Sequence, residues 1–102
     1  MTQRTIAGAA AALVGSILLS TAATADPIKI GMITTLSGGG SSLGIDVRDG
    51  FMLAVKEEGG KLGGVDVEVL VEDDARKPDK AKQIADKFLK RDGAKILTGL
   101  IW

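Results

Sequence analysis

Apolar positions gather in six stretches, separated by polar or glycine-rich segments. Ile6 to Leu19 (IAGAAAALVGSILL) is uncharged and mostly apolar, without helical or strand alternation. Ile28 to Ile33 (IKIGMI), entered through Pro27, predicts a strand buried on at least one face. Thr35 to Ser42 (TLSGGGSS) is a loop, because glycine and serine cannot build a core and tolerate unusual backbone angles. Leu43, Val47, Gly50, Phe51, Ala54 and Val55 then recur at helical spacing, predicting an amphipathic helix that ends at Gly59-Gly60. Asp46, Arg48, Asp49, Lys56 and Glu57 fall mostly off that stripe. Gly63-Gly64 makes a turn, Val65 to Glu72 (VDVEVLVE) predicts a second strand, and Asp73 to Lys77 (DDARK) is a polar corner. Pro78 suits the first turn of a second helix, where its missing N–H costs nothing. Ala81, Ile84, Ala85, Phe88 and Leu89 form its apolar stripe, Asp92-Gly93 its exit, and Lys95 to Ile101 a third strand.

Strand, helix, strand, helix, strand implies an α/β fold with a parallel sheet, since each helix returns the chain to start the next strand in the same direction. Open sheets of this kind bind ligands outside the carboxyl ends of their strands. Those ends are Leu36 to Leu43, Asp73 to Lys77, and Trp102. Three strands are half of such a sheet, and KILTGLIW rises in apolarity to Trp102 with no turn residue or polar cap. The expectation is an N-terminal fragment of a longer protein.

The first apolar stretch changes this picture by adding an address. Arg4, a 14-residue apolar core and Ala23-Thr24-Ala25 are the three zones of a secretory signal peptide, with cleavage after Ala25 to leave Asp26 first. A membrane-spanning helix needs about 20 apolar residues, and this core is shorter and broken by Gly8, Gly15 and Ser16. Domain boundaries are therefore expected at 1–25 for the signal peptide and 26–102 for the exported part. Losing Arg4 leaves 12 Lys and Arg against 13 Asp and Glu, a net charge of −1. That balance provides no basic field for nucleic acid or an anionic membrane. The chain has no cysteine, which excludes disulfides and a lipidated N-terminal cysteine alike. A periplasmic protein without a membrane span in its mature part is expected.

Candidate chemistry lies in the loops. Gly38-Gly39-Gly40 with Gly44 makes a loosened dinucleotide fingerprint, with Glu72 or Asp73 as the ribose acid, but Glu72 comes 28 residues after Gly44 where about 20 is usual. No Gly-Lys-Ser/Thr follows, so the loop is not a phosphate loop. It is either a plain flexible loop or one that admits the carboxylate of a small ligand to main-chain N–H groups at the first helix's positive end, where Ser41 and Ser42 add hydroxyls. Adjacent acids on an extended chain diverge, so Asp73 and Asp74 read as turn closers ahead of metal ligands or an acid/base pair. With no His, Cys or Tyr, most nucleophile and general-base arrangements cannot be built. No cofactor, metal or catalytic residue is expected.

These residues resemble the start of the periplasmic solute-binding proteins of the leucine/isoleucine/valine-binding type, which serve ABC importers. The resemblance runs in order through IKIGMITTLSG, Gly44 and Gly50 around the helix start, GGKLGG, VLVEDDARKPDKA and DGAKILTGL, nearly the whole length after Ala25. It implies a type I periplasmic-binding fold, two α/β lobes closing on a solute, with only the first βαβαβ part of lobe one present. It also implies an amino acid or related carboxylate as solute and an inner-membrane ABC permease as partner. By the resemblance, Leu43 takes the role of a side chain lying over the ligand, often aromatic in the family, and Trp102 falls on the first of the solute-binding positions after the third strand. Leu43 in place of an aromatic, and Trp102 where small residues are common, depart from the amino-acid-binding pattern and tilt the expected solute toward a flatter, more apolar acid. A Rossmann-type nucleotide-binding enzyme and a ligand-sensing receptor domain of the same fold are the alternative readings.

Overall fold

The computed structural model describes residues 25–102 and, apart from them, only Thr2, so the expected export segment up to Ala23 and Thr24 lies outside the described residues. Among the described residues no helix is long and apolar enough to cross a membrane. The elements are β1 (Ile28–Thr34), α1 (Ser41–Glu57), β2 (Lys61–Leu62), β3 (Val65–Asp73), α2 (Pro78–Lys90) and β4 (Ile96–Thr98). They form a four-stranded sheet in the order β2-β3-β1-β4. β1 runs parallel to β3, pairing Ile28 with Val67 through Thr34 with Asp73, and parallel to β4, pairing Ile30 with Ile96 through Met32 with Thr98.

β1 is the central strand, and both its faces are covered because the two helices lie on opposite sides. Side chains alternate along a strand, so Gly31 and Ile33 share the α2 face while Thr34 turns to α1. Ile33, Ile84, Phe88 and Ala94 form the buried core, with Leu70, Ala81, Ala85 and Leu97 packed against it. Phe88 sits directly over Gly31, where a Cβ would stand 2.5 Å from its Cδ2.

α2 follows its expected pattern, with Pro78 at its start, Asp79 in the first turn and Lys87 and Lys90 in the last, charges that suit the helix dipole. Its exit is at Gly93, φ 74°, across which the Ala94 N–H donates to the Phe88 carbonyl at 2.9 Å. Leu89, expected on the apolar stripe, is exposed.

Three expectations are corrected. Lys61–Leu62 is an additional strand, antiparallel to Val65–Asp66, so the sheet is mixed. Gly63 and Gly64 have φ of 57° and 79°, the left-handed pair that a two-residue hairpin requires. The α1 stripe is rotated: Gly44 and Val55 are buried, while Leu43 and Val47 are largely exposed. The cause is Gly44, whose lack of a side chain lets the helix rest on the Thr35 backbone and turns the line Gly44, Arg48, Phe51, Val55 toward the sheet. The last strand stops at Thr98, short of Ile101. Gly99, φ 96°, breaks the extended backbone, and a Cβ there would lie 2.8 Å from Met32 Cγ.

Candidate functional site

The carboxyl ends of β1 and β3 are tied together by two aspartates. Thr35 donates its hydroxyl to Asp74 Oδ1 at 2.7 Å, and the Asp74 N–H donates to the Thr34 carbonyl at 3.0 Å. Asp73 Oδ1 accepts from the Leu36 N–H at 2.8 Å, and its other oxygen accepts from the Ser37 hydroxyl. The same two carboxylates fold their own corner, Asp73 accepting from the Ala75 N–H and Asp74 from the Arg76 N–H, each at 2.8 Å. The Ser37 hydroxyl, then the Leu36 and Ala75 N–H groups and the Lys80 charge, hold the Asp73 carboxyl down at about 2, against a partial desolvation that works the other way. The two acids are turn closers, as the sequence suggested. Of the two candidate ribose acids, Glu72 accepts from Lys87 Nζ at 2.9 Å through Oε1 while its Oε2 has no partner, and Asp73 is spent on the loop.

This corner is strained. Ala75 and Arg76 are both left-handed, with φ of 49° and 58°, a conformation costing about 1–2 kcal/mol for a residue with a Cβ. The aspartate bonds hold it there. Its effect is to carry the Arg76 guanidinium over the indole of Trp102, 4.4 Å from the ring centroid.

Trp102 was expected at the end of a strand; it lies instead in the irregular segment after Gly99. Its ring still reaches the first loop, for a Cβ on Gly40 would stand 2.8 Å from Cζ2, 3.2 Å from Cε2 and 3.3 Å from Nε1, the atoms of one indole edge. Gly40 is also the N-cap of α1, left-handed at φ 85°, with no side-chain cap bond. The first-turn N–H groups of a helix have no intrahelical partner, and here no acidic side chain occupies that turn.

The structure thus brings Trp102 against the residue preceding Ser41, Ser42 and Leu43. Ser41 is half-buried, and Ser42 and Leu43 are exposed in the first turn of α1. Trp102 is 57% exposed among the described residues. Sequence reasoning missed Arg76 and read Gly40 only as one of a glycine run, because the left-handed turn that aims Arg76 leaves no periodic signal. The paired aspartates, which fold their own backbone, were the available hint.

A family model described as periplasmic binding protein matches residues 27–102. The chain belongs to the periplasmic binding protein family. Solved structures agree with it. A solute-binding protein of an ABC transporter from Rhodopseudomonas palustris BisB5, in complex with 3,4-dihydroxybenzoic acid, is 30% identical with a TM-score of 0.66, over 72% of this chain and 20% of that one. A second R. palustris solute-binding protein, in complex with benzoate, is 32% identical with a TM-score of 0.66, over 71% and 20%. A possible leucine/isoleucine/valine-binding protein from Rhodopirellula baltica SH 1 is 26% identical with a TM-score of 0.65, over 72% and 21%. No curated protein matches the chain significantly. The chain spans about a fifth of the length of these structures, and what is described of this periplasmic binding protein is part of a domain with the family's α/β fold.

Proposed function

We propose that residues 26–102 form the first part of lobe one of an exported, non-enzymatic solute-binding protein, with residues 1–25 as its cleaved signal peptide. In this reading the full-length protein captures a small carboxylated solute between two lobes in the periplasm and presents it to an inner-membrane ABC permease. The observation that carries it is the Trp102 indole beyond the carboxyl ends of the strands, with Arg76 over one face and Gly40 at its edge, beside the start of α1, which has no side-chain cap and no acidic residue in its first turn. Crevices at that end of an open sheet are where such folds bind ligands.

Ser41 and Ser42 offer hydroxyls and the α1 N-terminus offers N–H groups to the solute's carboxylate. Leu43 and Trp102 supply apolar walls. A flat, apolar acid suits a lone indole better than a branched aliphatic side chain, because aromatic stacking adds to simple burial. The relatives crystallised with benzoate and with dihydroxybenzoic acid support that choice; the relative described as leucine/isoleucine/valine-binding supports an amino acid as the competing solute.

Calorimetric titration of the full-length protein with benzoate, leucine and a nicotinamide dinucleotide tests the proposal. It predicts saturable one-site binding of a carboxylate and none of the dinucleotide. Dinucleotide binding without carboxylate binding would favour the enzyme reading and overturn this one.

A further inference from the structure

Building on the solute-binding reading, we propose that Arg76 is a positioning residue: it clasps the Trp102 indole against Gly40 and so sets the plane of the ring that the solute meets. Three observations lead there. The guanidinium lies 4.4 Å from the ring centroid, well inside the range of about 6 Å over which a cation over an aromatic face is attracted by the ring's quadrupole. Among the described residues no carboxylate forms an ion pair with Arg76, and the group its guanidinium covers is the indole. Its backbone is held in a left-handed conformation, φ 58°, by a carboxylate that accepts from its own N–H.

Strain of that kind persists only where the surroundings over-determine it. Here the Asp73 and Asp74 bonds over-determine the corner, and the product of the strain is the direction of one side chain. Gly40 completes the clasp from the opposite loop: any side chain there would occupy the space of the indole edge. Glycine is favoured at that position twice, by φ of 85° and by the ring. The stack therefore joins the β1–α1 loop, the β3–α2 corner and the segment after β4, the three segments expected to border the solute. Without the guanidinium the indole is free to rotate about its two side-chain torsions, and a binding event must then order it.

The test uses the full-length protein with 5-fluorotryptophan, the Trp102 resonance being assigned by its loss in Trp102→Phe. Arg76→Met keeps the aliphatic stem and removes the charge; Arg76→Lys restores a cation. The clasp predicts that the Trp102 fluorine resonance of the solute-free protein shifts in Arg76→Met and moves back toward the parent position in Arg76→Lys. It also predicts that Arg76→Met weakens benzoate binding by about two- to fivefold, the worth of an exposed cation–aromatic contact, with no further loss when added to Trp102→Ala, which leaves no ring for the cation to cover. An unmoved resonance in Arg76→Met, or losses from the two substitutions that simply add, would overturn the clasp. If the parent binds no benzoate, the solute reading fails while the solute-free resonance still decides on Arg76.

Discussion

Gly44→Ala inserts one methyl group where α1 rests on β1. The new Cβ would stand 1.6 Å from the Thr35 carbonyl oxygen and 2.5 Å from its carbon, backbone atoms that cannot rotate aside. An ordinary contact of about 3.4 Å or more requires the helix start to retreat by roughly 1.8 Å, overpacking that costs about 1–3 kcal/mol. That retreat also breaks the 3.2 Å bond from the Thr34 hydroxyl to the Gly44 carbonyl, and a buried hydroxyl left unpaired costs about 1–3 kcal/mol more. Alanine's better helix propensity returns about 1 kcal/mol. The net expectation is destabilisation by about 3 kcal/mol, with displacement of the first turn that carries Ser41, Ser42 and Leu43. Gly50→Ala is the matched control, since nothing lies within 4 Å of its Cβ, and it should stabilise by up to about 1 kcal/mol. Urea unfolding of the full-length protein, followed by circular dichroism, measures both. If Gly44→Ala is as stable as Gly50→Ala, α1 does not sit on Thr35 as described.

Three further outcomes are expected. Asp73 has a folded-state pKa of about 2, below its ordinary 3.8, so its contribution to stability is complete above pH 4 and lost as the pH falls toward 2; Asp73→Asn should be less stable at neutral pH and have a flatter urea midpoint across that window. Phe88→Ala empties the core beneath Gly31 and should cost about 3–5 kcal/mol in the same unfolding assay. Intact mass of the exported protein should place its first residue at Asp26, and retention of residues 1–25 would contradict the export signal.

What was legible in the sequence was set by local physics. The Ala81, Ile84, Ala85, Phe88 stripe reported its own buried face because α2 packs on the sheet along that line, with Leu89 beside it left exposed. The α1 stripe misled because glycine scores as nothing in a hydrophobic pattern, yet Gly44 is the contact point that fixes the helix's rotation. Lys61–Leu62 escaped notice because a two-residue strand has no periodicity to read. Gly99 had read as an ordinary strand glycine, and only its positive φ shows why β4 ends early. Of the proposed site, Ser41, Ser42, Leu43 and Trp102 come from the rule for strand ends and the family resemblance. Arg76 was not, because its direction is decided by two side-chain-to-backbone bonds and a left-handed turn.

The central claim is that Trp102 forms one wall of the solute site, and tryptophan fluorescence of the full-length protein tests it most directly. Titration with benzoate and with leucine, in the parent and in Trp102→Ala, should show a change in emission on binding that the variant lacks. Affinity for the aromatic acid should fall by about two- to tenfold in the variant, the worth of a stacked aromatic pair, and affinity for leucine should fall less. If Trp102→Ala binds benzoate as tightly as the parent, the indole does not line the site, and the assignment of a flat, apolar acid falls with it.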